Sequence, residues 1–306
     1  MLKLKFSGHT TPSAPAAADA YGMFYGCSSL TALPDGFSAR GVTDARRMFA
    51  YCSSLKALPD GFSCPDVTDA GSMFAYCSSL TALPEGFSCP NAVSAHAMFR
   101  ECSSLKALPD GFSVPGATDA CAMFNGCSSL SSLPDGFCCP DVTDARHMFS
   151  GCASLSGLPE GFSVPKATET TAMFSGCASL KALPAGFSAP SATDARCMFY
   201  GCSSLSRLPD GFSAQSVADA GHMFRGCRSL TAIGDGVRVA TGAGATCTDD
   251  LGMDKLKVTS IGAGFEWCLN VRFEGEWDPS KGIRNVFPNA TGVGPGWRVY
   301  DHRDGE

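Results

Sequence analysis

The stretch Met23–Arg47, MFYGCSSLTALPDGFSARGVTDARR, decides how this chain is read. Its opening Met-Phe starts again at Met48, Met73, Met98, Met123, Met148, Met173, Met198 and Met223, 25 residues on each time and without an insertion. A period in the twenties marks an architecture whose units are too short to bury their own apolar side and cover it with their neighbours. Three regions follow: residues 1–22, an N-terminal cap strand and half a coil; residues 23–233, the array; and residues 234–306, divergent copies and a C-terminal cap.

Within one copy the chemistry predicts local structure. Leu30 and Leu33 frame a short strand, and the residue after Leu30 varies: Thr31, Lys56, Thr81, Lys106, Ser131, Ser156, Lys181, Ser206 and Thr231. A position that takes lysine and serine equally faces water. The strands of successive coils are expected to stack in parallel, because every coil winds in the same sense. Leu33-Pro34-Asp35-Gly36, with proline second and glycine fourth, reads as a type I β-turn, after which Phe37 returns to the interior. Thr43-Asp44-Ala45 followed by Met48-Phe49 reads as a cap and one or two helical turns. Asp44, with its copies Asp69, Ser94, Asp119, Asp144, Glu169, Asp194 and Asp219, is the N-cap that accepts free backbone N–H groups. Met48, Phe49 and Cys52 then share one helical face. The fold class expected is an α/β solenoid with short parallel strands on one face and short helical turns or loops on the other. Each coil offers about five groups worth ~1.5–3 kcal/mol when fully buried. They offset the entropy of ordering the coil only when neighbours cover both sides.

The ends carry their own signals. Leu2, Leu4 and Phe6 alternate with Lys3 and Lys5, a half-exposed strand that would cover the first coil. After Leu230 the pattern decays: Ile233, Gly234 and Val237 stand where leucine, proline and phenylalanine stood. Phe265, Cys268 and Val271 repeat the frame of Phe24, Cys27 and Leu30, and Phe287, Ala290 and Val293 repeat it more faintly. Trp267, Trp277 and Trp297, the three tryptophans of the chain, read as cap core.

Of the 17 cysteines, nine belong to the repeat: Cys27, Cys52, Cys77, Cys102, Cys127, Cys152, Cys177, Cys202 and Cys227. They read as a ladder of buried free thiols, since a free cysteine behaves as a small hydrophobe and disulfide scaffolds are usually short secreted chains. Cys64 and Cys89 hold one position on adjacent coils. Stacked strands lie about 4.8 Å apart, and a disulfide accepts Cα separations of about 4.4–6.8 Å, so this pair is the best placed to be bridged.

Chemistry beyond packing is sparse. The net charge of −6 is modest, no basic stripe points to nucleic acid, and no apolar run reaches the roughly 18 residues of a membrane helix. Cys138-Cys139 lacks the second pair a zinc site needs. Asp35, Asp60, Glu85, Asp110, Asp135, Glu160, Asp210 and Asp235 form an acidic row broken by Ala185. One carboxylate per coil falls short of the six to eight oxygens that Ca²⁺ takes, so these read as solvated turn residues. Among the histidines, His9, His96, His147, His222 and His302, three occupy variable outward positions, and no serine or cysteine stands apart from its copies beside one. No catalytic residue, cofactor or metal is assigned. An enzyme in the tail, using carboxylates near Trp267 and Trp277, has almost nothing behind it.

The phrase MFxxCSSLxxLPxGF followed by VTDAxxMF resembles the BspA-like leucine-rich repeats of bacterial surface proteins. Those carry Ala-Phe or Met-Phe, then x-x-Cys-x-x-Leu-x-x-Leu/Ile, and a Val-Thr-Asp-Met step before the next Met-Phe. The likeness covers residues 23–233. It implies a leucine-rich-repeat-like right-handed solenoid that binds protein or glycan without catalysis, often as an adhesin or host-contact protein. The tentative contact surface is the column Thr31, Lys56, Thr81, Lys106, Ser131, Ser156, Lys181 and Ser206. The expected molecule is a monomer without nucleic-acid partner or membrane insertion. The resemblance implies an extracellular or cell-surface location. Met1–Phe6 is too short and charged for a signal peptide, which leaves the cytoplasm open. The alternative function is a structural spacer that presents the C-terminal segment or a partner domain.

Overall fold

The computed structural model describes residues 18–214, 216–239, 260–261, 266–269, 280, 291–295 and 298–301. Within them each copy is one rung, and residues 25 apart lie side by side. Parallel bridges join Asp19 to Asp44, Asp44 to Asp69, and so on in one unbroken series to Asp194 and Asp219.

The interior follows from the period. Phe24, Phe49, Phe74 and their copies to Phe224 stack ring on ring at 5.2 to 5.6 Å. Phe37, Phe62, Phe87 and their copies to Phe212 form a second stack at 6.0 to 6.2 Å. The two columns meet edge to face, as Phe49 and Phe62 do at 6.1 Å and 71°, the arrangement the ring quadrupole favours. Met48, Leu55, Val67, Ala45 and their copies fill the space around them and are buried. In the first rung Met23 and Leu30 are only partly buried and Cys27 is exposed. Among the described residues no rung precedes it, and cover by neighbours is the only cover a rung has.

The segment expected to be helical is something else: no helix is present among the described residues. From Ala45 to Cys52 the amides alternate between two kinds of partner. Met48, Ala50 and Cys52 donate three residues back, to Ala45, Arg47 and Phe49. Ala45, Arg47, Phe49 and Tyr51 donate instead to the next rung, to Asp69, Gly71, Met73 and Ala75. Positive φ at Arg47 (54°) and Tyr51 (63°) makes this possible. A left-handed residue at every fourth place uncurls what would be a helix, producing a ribbon of turns that stacks in parallel. Asp44 is accordingly no helix N-cap. Its Oδ1 accepts the Arg46 amide at 3.0 Å, closing a local side-chain turn.

The Pro-Asp-Gly turn also differs from expectation. The hydrogen bond runs from the Phe37 amide to the Pro34 carbonyl at 3.1 Å, so proline is first and Gly36 third. Gly36 has φ 76°, which excludes type I and requires a residue without Cβ strain at that place.

On the leucine side, one backbone bond per rung links the copies, such as Lys56 N–H to Thr31 C=O at 3.2 Å. Strands of two or four residues form only further along: β1 (Arg207–Leu208), β2 (Ser213–Ala214), β3 (Ala232–Ile233), β4 (Arg238–Val239), β5 (Ser260–Ile261), β6 (Glu266–Leu269), β7 (Gly292–Val293) and β8 (Arg298–Asp301). They make two parallel sheets, β1-β3-β5-β7 and β2-β4-β6-β8. The stacking thus continues past residue 233, in a register other than the one read from Phe265 and Cys268. Trp267 pairs with Val239, which follows the column of Ala39 rather than Cys27, and Val293 pairs with Ile261, in the column of Leu33. The strand expected at residues 2–6 and the positions of Trp277 and Trp297 lie outside the described residues.

Candidate functional site

The variable column on the leucine side is exposed throughout, from Thr31 through Lys56, Thr81, Lys106, Ser131, Ser156 and Lys181 to Ser206. Its backbone forms a continuous rung-to-rung ladder, with each amide donating to the carbonyl 25 residues earlier at 3.1 to 3.2 Å. The hydroxyls join that ladder. Thr81 Oγ1 donates to the Lys56 carbonyl at 3.3 Å, and Ser131, Ser156 and Ser206 do the same with the rung before each. The lysines behave differently: Lys56, Lys106 and Lys181 form no ion pair among the described residues. What this column offers a ligand is a row of ammonium groups on a fixed backbone.

The repeated thiols are structural in their geometry. Cys52 Sγ donates to the Phe24 carbonyl at 3.1 Å, and the same bond recurs in every later rung to Cys227 and Phe199. Burial pushes the Cys52, Cys177 and Cys227 thiols up to about 12. A thiol held protonated and bonded to a carbonyl is a poor nucleophile. Cys64 and Cys89 are both buried and both free, with the Cys64 thiol hydrogen-bonded to Cys89 and held well above its usual range. Cys138 is exposed and Cys139 buried, so these neighbours face opposite ways. The acidic row from Asp35 to Asp235 is exposed. His96 and His147 are exposed and His222 is half-buried.

Reading Asp44 and its copies as caps hides a charge pattern along their column. The bridged carboxylates are one rung apart, and the residue two places after each alternates: Arg46, Gly71, His96, Cys121, Arg146, Thr171, Arg196, Gly221. Basic side chains occupy every second rung. Arg46 Nη2 lies 2.6 Å from Asp44 and its Nε 3.6 Å from Asp69 of the next rung. Arg196 spans Asp194 and Asp219 at 2.6 and 3.7 Å. Arg146 pairs with Asp144 at 2.6 Å, and His96 lies 3.9 Å from Asp119. The alternation is steric as well as electrostatic: a Cβ on Gly71 would sit 3.5 Å from Arg46 Cγ and 3.0 Å from Asp69 Oδ1. The signal was present in the sequence as a 50-residue period in one column.

Among the described residues no helix is long and apolar enough to cross a membrane, and no group of three or more His, Cys, Asp or Glu side chains gathers as a metal site. No curated protein matches the chain. The family model described as "Mycoplasma protein of unknown function, DUF285" matches residues 18–137 and again 118–233, the same span over which bridged rungs and phenylalanine stacks are found. On those two overlapping matches, which cover more than half of its length, the chain belongs to the DUF285 family.

Proposed function

We propose that this chain is a BspA-like leucine-rich-repeat solenoid acting as a non-enzymatic binding scaffold, on a cell surface or secreted, for a protein or glycan of the host. The observation that carries the reading is the exposed lysine row, Lys56, Lys106 and Lys181, on a backbone fixed from rung to rung. The burial of the repeated thiols from Cys52 to Cys227, each bonded to a backbone carbonyl, supports a structural rather than a catalytic role for the commonest reactive side chain. The test is a host-protein and glycan array probed with intact chain and with the Lys56→Glu/Lys106→Glu/Lys181→Glu variant. Loss of the bound ligands with an unchanged circular dichroism spectrum supports the reading; undiminished binding refutes the assignment to this face.

A second reading, a spacer that presents the C-terminal segment or a partner domain, draws on the hydroxyls of Thr81, Ser131, Ser156 and Ser206. Each is turned onto a backbone carbonyl rather than outward. Array binding that survives in the lysine variant and disappears when the chain is ended at residue 233 would favour it.

A further inference from the structure

Away from the lysine row, the first rungs carry a surface that the rest of the stack lacks. Tyr25 and Tyr51 are exposed, at 52% and 45%, and Tyr76 is half-buried. The rings form one continuous row. Tyr25 meets Tyr51 edge to face at 5.5 Å, Tyr51 and Tyr76 stack at 4.5 Å with planes 4° apart, and the Arg100 guanidinium lies 5.7 Å from the Tyr76 ring centre. Four residues earlier on the ribbon, Arg47 reaches the Tyr21 hydroxyl at 3.4 Å.

The row is held at a conformational cost. Tyr51 and Tyr76 have φ of 63° and 62°. The same place in six other rungs is glycine: Gly26, Gly126, Gly151, Gly176, Gly201 and Gly226, all at positive φ. A bulky residue in the left-handed region carries strain, and this ribbon holds non-glycine residues there in other rungs too, among them Glu101 of the same column with φ 59°. Packing does not explain these tyrosines, since glycine serves the same ribbon elsewhere.

The chemistry of the row selects a partner. Tyr51 and Tyr76 each cover one face of the other and Arg100 lies over the Tyr76 ring, so the middle of the row offers a sugar little open ring face. Ring edges are the positive part of the quadrupole, phenols donate, and Arg47 and Arg100 form no ion pair among the described residues. Each of these groups attracts carboxylate oxygen. Tyrosine and arginine are also the residues that dominate protein interfaces. Three rung intervals of about 4.8 Å span about 14 Å, the reach of roughly four extended residues.

We propose that the Tyr25–Tyr51–Tyr76–Arg100 row is a docking surface for a short, extended polypeptide segment bearing aspartate or glutamate. The site is independent of the lysine row. The test pans a phage-displayed random dodecapeptide library on the full chain, with counter-selection on the Tyr51→Gly/Tyr76→Gly variant. Enriched peptides are expected to place at least two carboxylates within about five residues. They should bind the wild type at least tenfold tighter than the glycine variant and the Arg100→Glu variant, and equally to Lys56→Glu/Lys106→Glu. Circular dichroism and urea midpoints establish that each variant is folded. Should the glycine variant fail that check, Tyr51→Phe/Tyr76→Phe, which keeps the rings and removes the hydroxyls, decides by the same tenfold criterion. No enrichment, enrichment without acidic residues, or equal binding to folded variants would overturn the proposal. So would tyrosine-dependent binding of a hyaluronan octasaccharide in the absence of any selected peptide.

Discussion

The thiol of Cys152 lies 3.2 Å from the carbonyl oxygen of Phe124, 28 residues earlier, and donates to it across the boundary between two rungs. That carbonyl also accepts the Cys127 amide at 3.0 Å, so the cysteine completes the pairing of a buried acceptor. Cys152→Val, which keeps the bulk and removes the donor, should cost about 1 kcal/mol. Cys152→Ala, which also leaves a void, should cost about 2 kcal/mol. Urea denaturation of the two variants beside the wild type reads both values, and equal stability of all three would remove the thiol's structural role.

The same ladder sets a pH limit. Burial raises the Cys177 thiol from 9.0 to about 12 in the folded chain. As pH climbs above 9 the unfolded chain loses this proton first, so the folded state binds more protons and stability falls as pH rises. The contribution is complete below about pH 9 and is lost through about pH 12, at roughly 1.4 kcal/mol per pH unit for each such thiol. Urea midpoints at pH 8, 9, 10 and 11 should decline with increasing slope. A flat profile, or one that collapses only at acid pH, would contradict it.

Left-handed positions give a graded test. Gly176 has φ 76°, and a Cβ there would lie 3.6 Å from Gly151; Gly176→Ala should cost about 1–2 kcal/mol. In the same column Glu101 has φ 59°, and Glu101→Gly should raise stability by about 1 kcal/mol. Tyr51→Gly relieves strain but gives up a stacked ring worth about 0.5–1.5 kcal/mol, so its urea midpoint should stay close to that of the wild type.

Arg46 pulls the Asp44 carboxyl below its ordinary value through their side-chain hydrogen bonds. The stabilisation is present above the ordinary carboxylate range and is lost as pH falls through the depressed value. Both groups meet solvent, with half of the Arg46 side chain exposed, so screening keeps the effect of Arg46→Gln on the urea midpoint small at neutral pH and low salt. The difference from wild type should shrink in 1 M salt and disappear as pH falls through the depressed Asp44 value.

Register provides the sharpest contrast. Removing Met98–Ala122, one whole copy, joins Ala97 to Met123 and keeps every kind of rung-to-rung contact. The product should unfold cooperatively, with an m-value reduced in proportion to the lost surface. Removing one residue fewer, Met98–Cys121, leaves Ala122 as an extra residue at one junction, while all later copies keep their spacing to one another. It should lower the urea midpoint below that of the whole-copy deletion, as circular dichroism in urea will show.

How far these features were legible depended on whether they were local. The positions of Phe49, Leu55 and Cys52 in the interior were readable because each recurs at a fixed distance and never becomes polar. The ribbon of turns was not, because Met48, Phe49 and Cys52 at offsets of 0, 1 and 4 satisfy helical spacing equally well. The contrary sign was the glycine that fills the Tyr51 position in most rungs, since a buried helix interior seldom keeps one. Asp44 misled for a related reason: a carboxylate accepting the amide two residues on is common to caps and to isolated side-chain turns. Thr81 and Ser131 hold a position expected to face water, and both are exposed, yet their hydroxyls turn back onto the chain. Their bond to the previous rung's carbonyl depends on the spacing between rungs, which one copy does not display.

The two phenylalanine stacks have an optical consequence. No tryptophan occurs between residues 18 and 233, while Trp267, Trp277 and Trp297 all follow it. Near-ultraviolet circular dichroism in the phenylalanine band around the stacked rings therefore reports on the array, and indole fluorescence reports on the tail. A single unlabelled sample gives two separate windows, through which it can be watched whether array and tail come apart together or in turn.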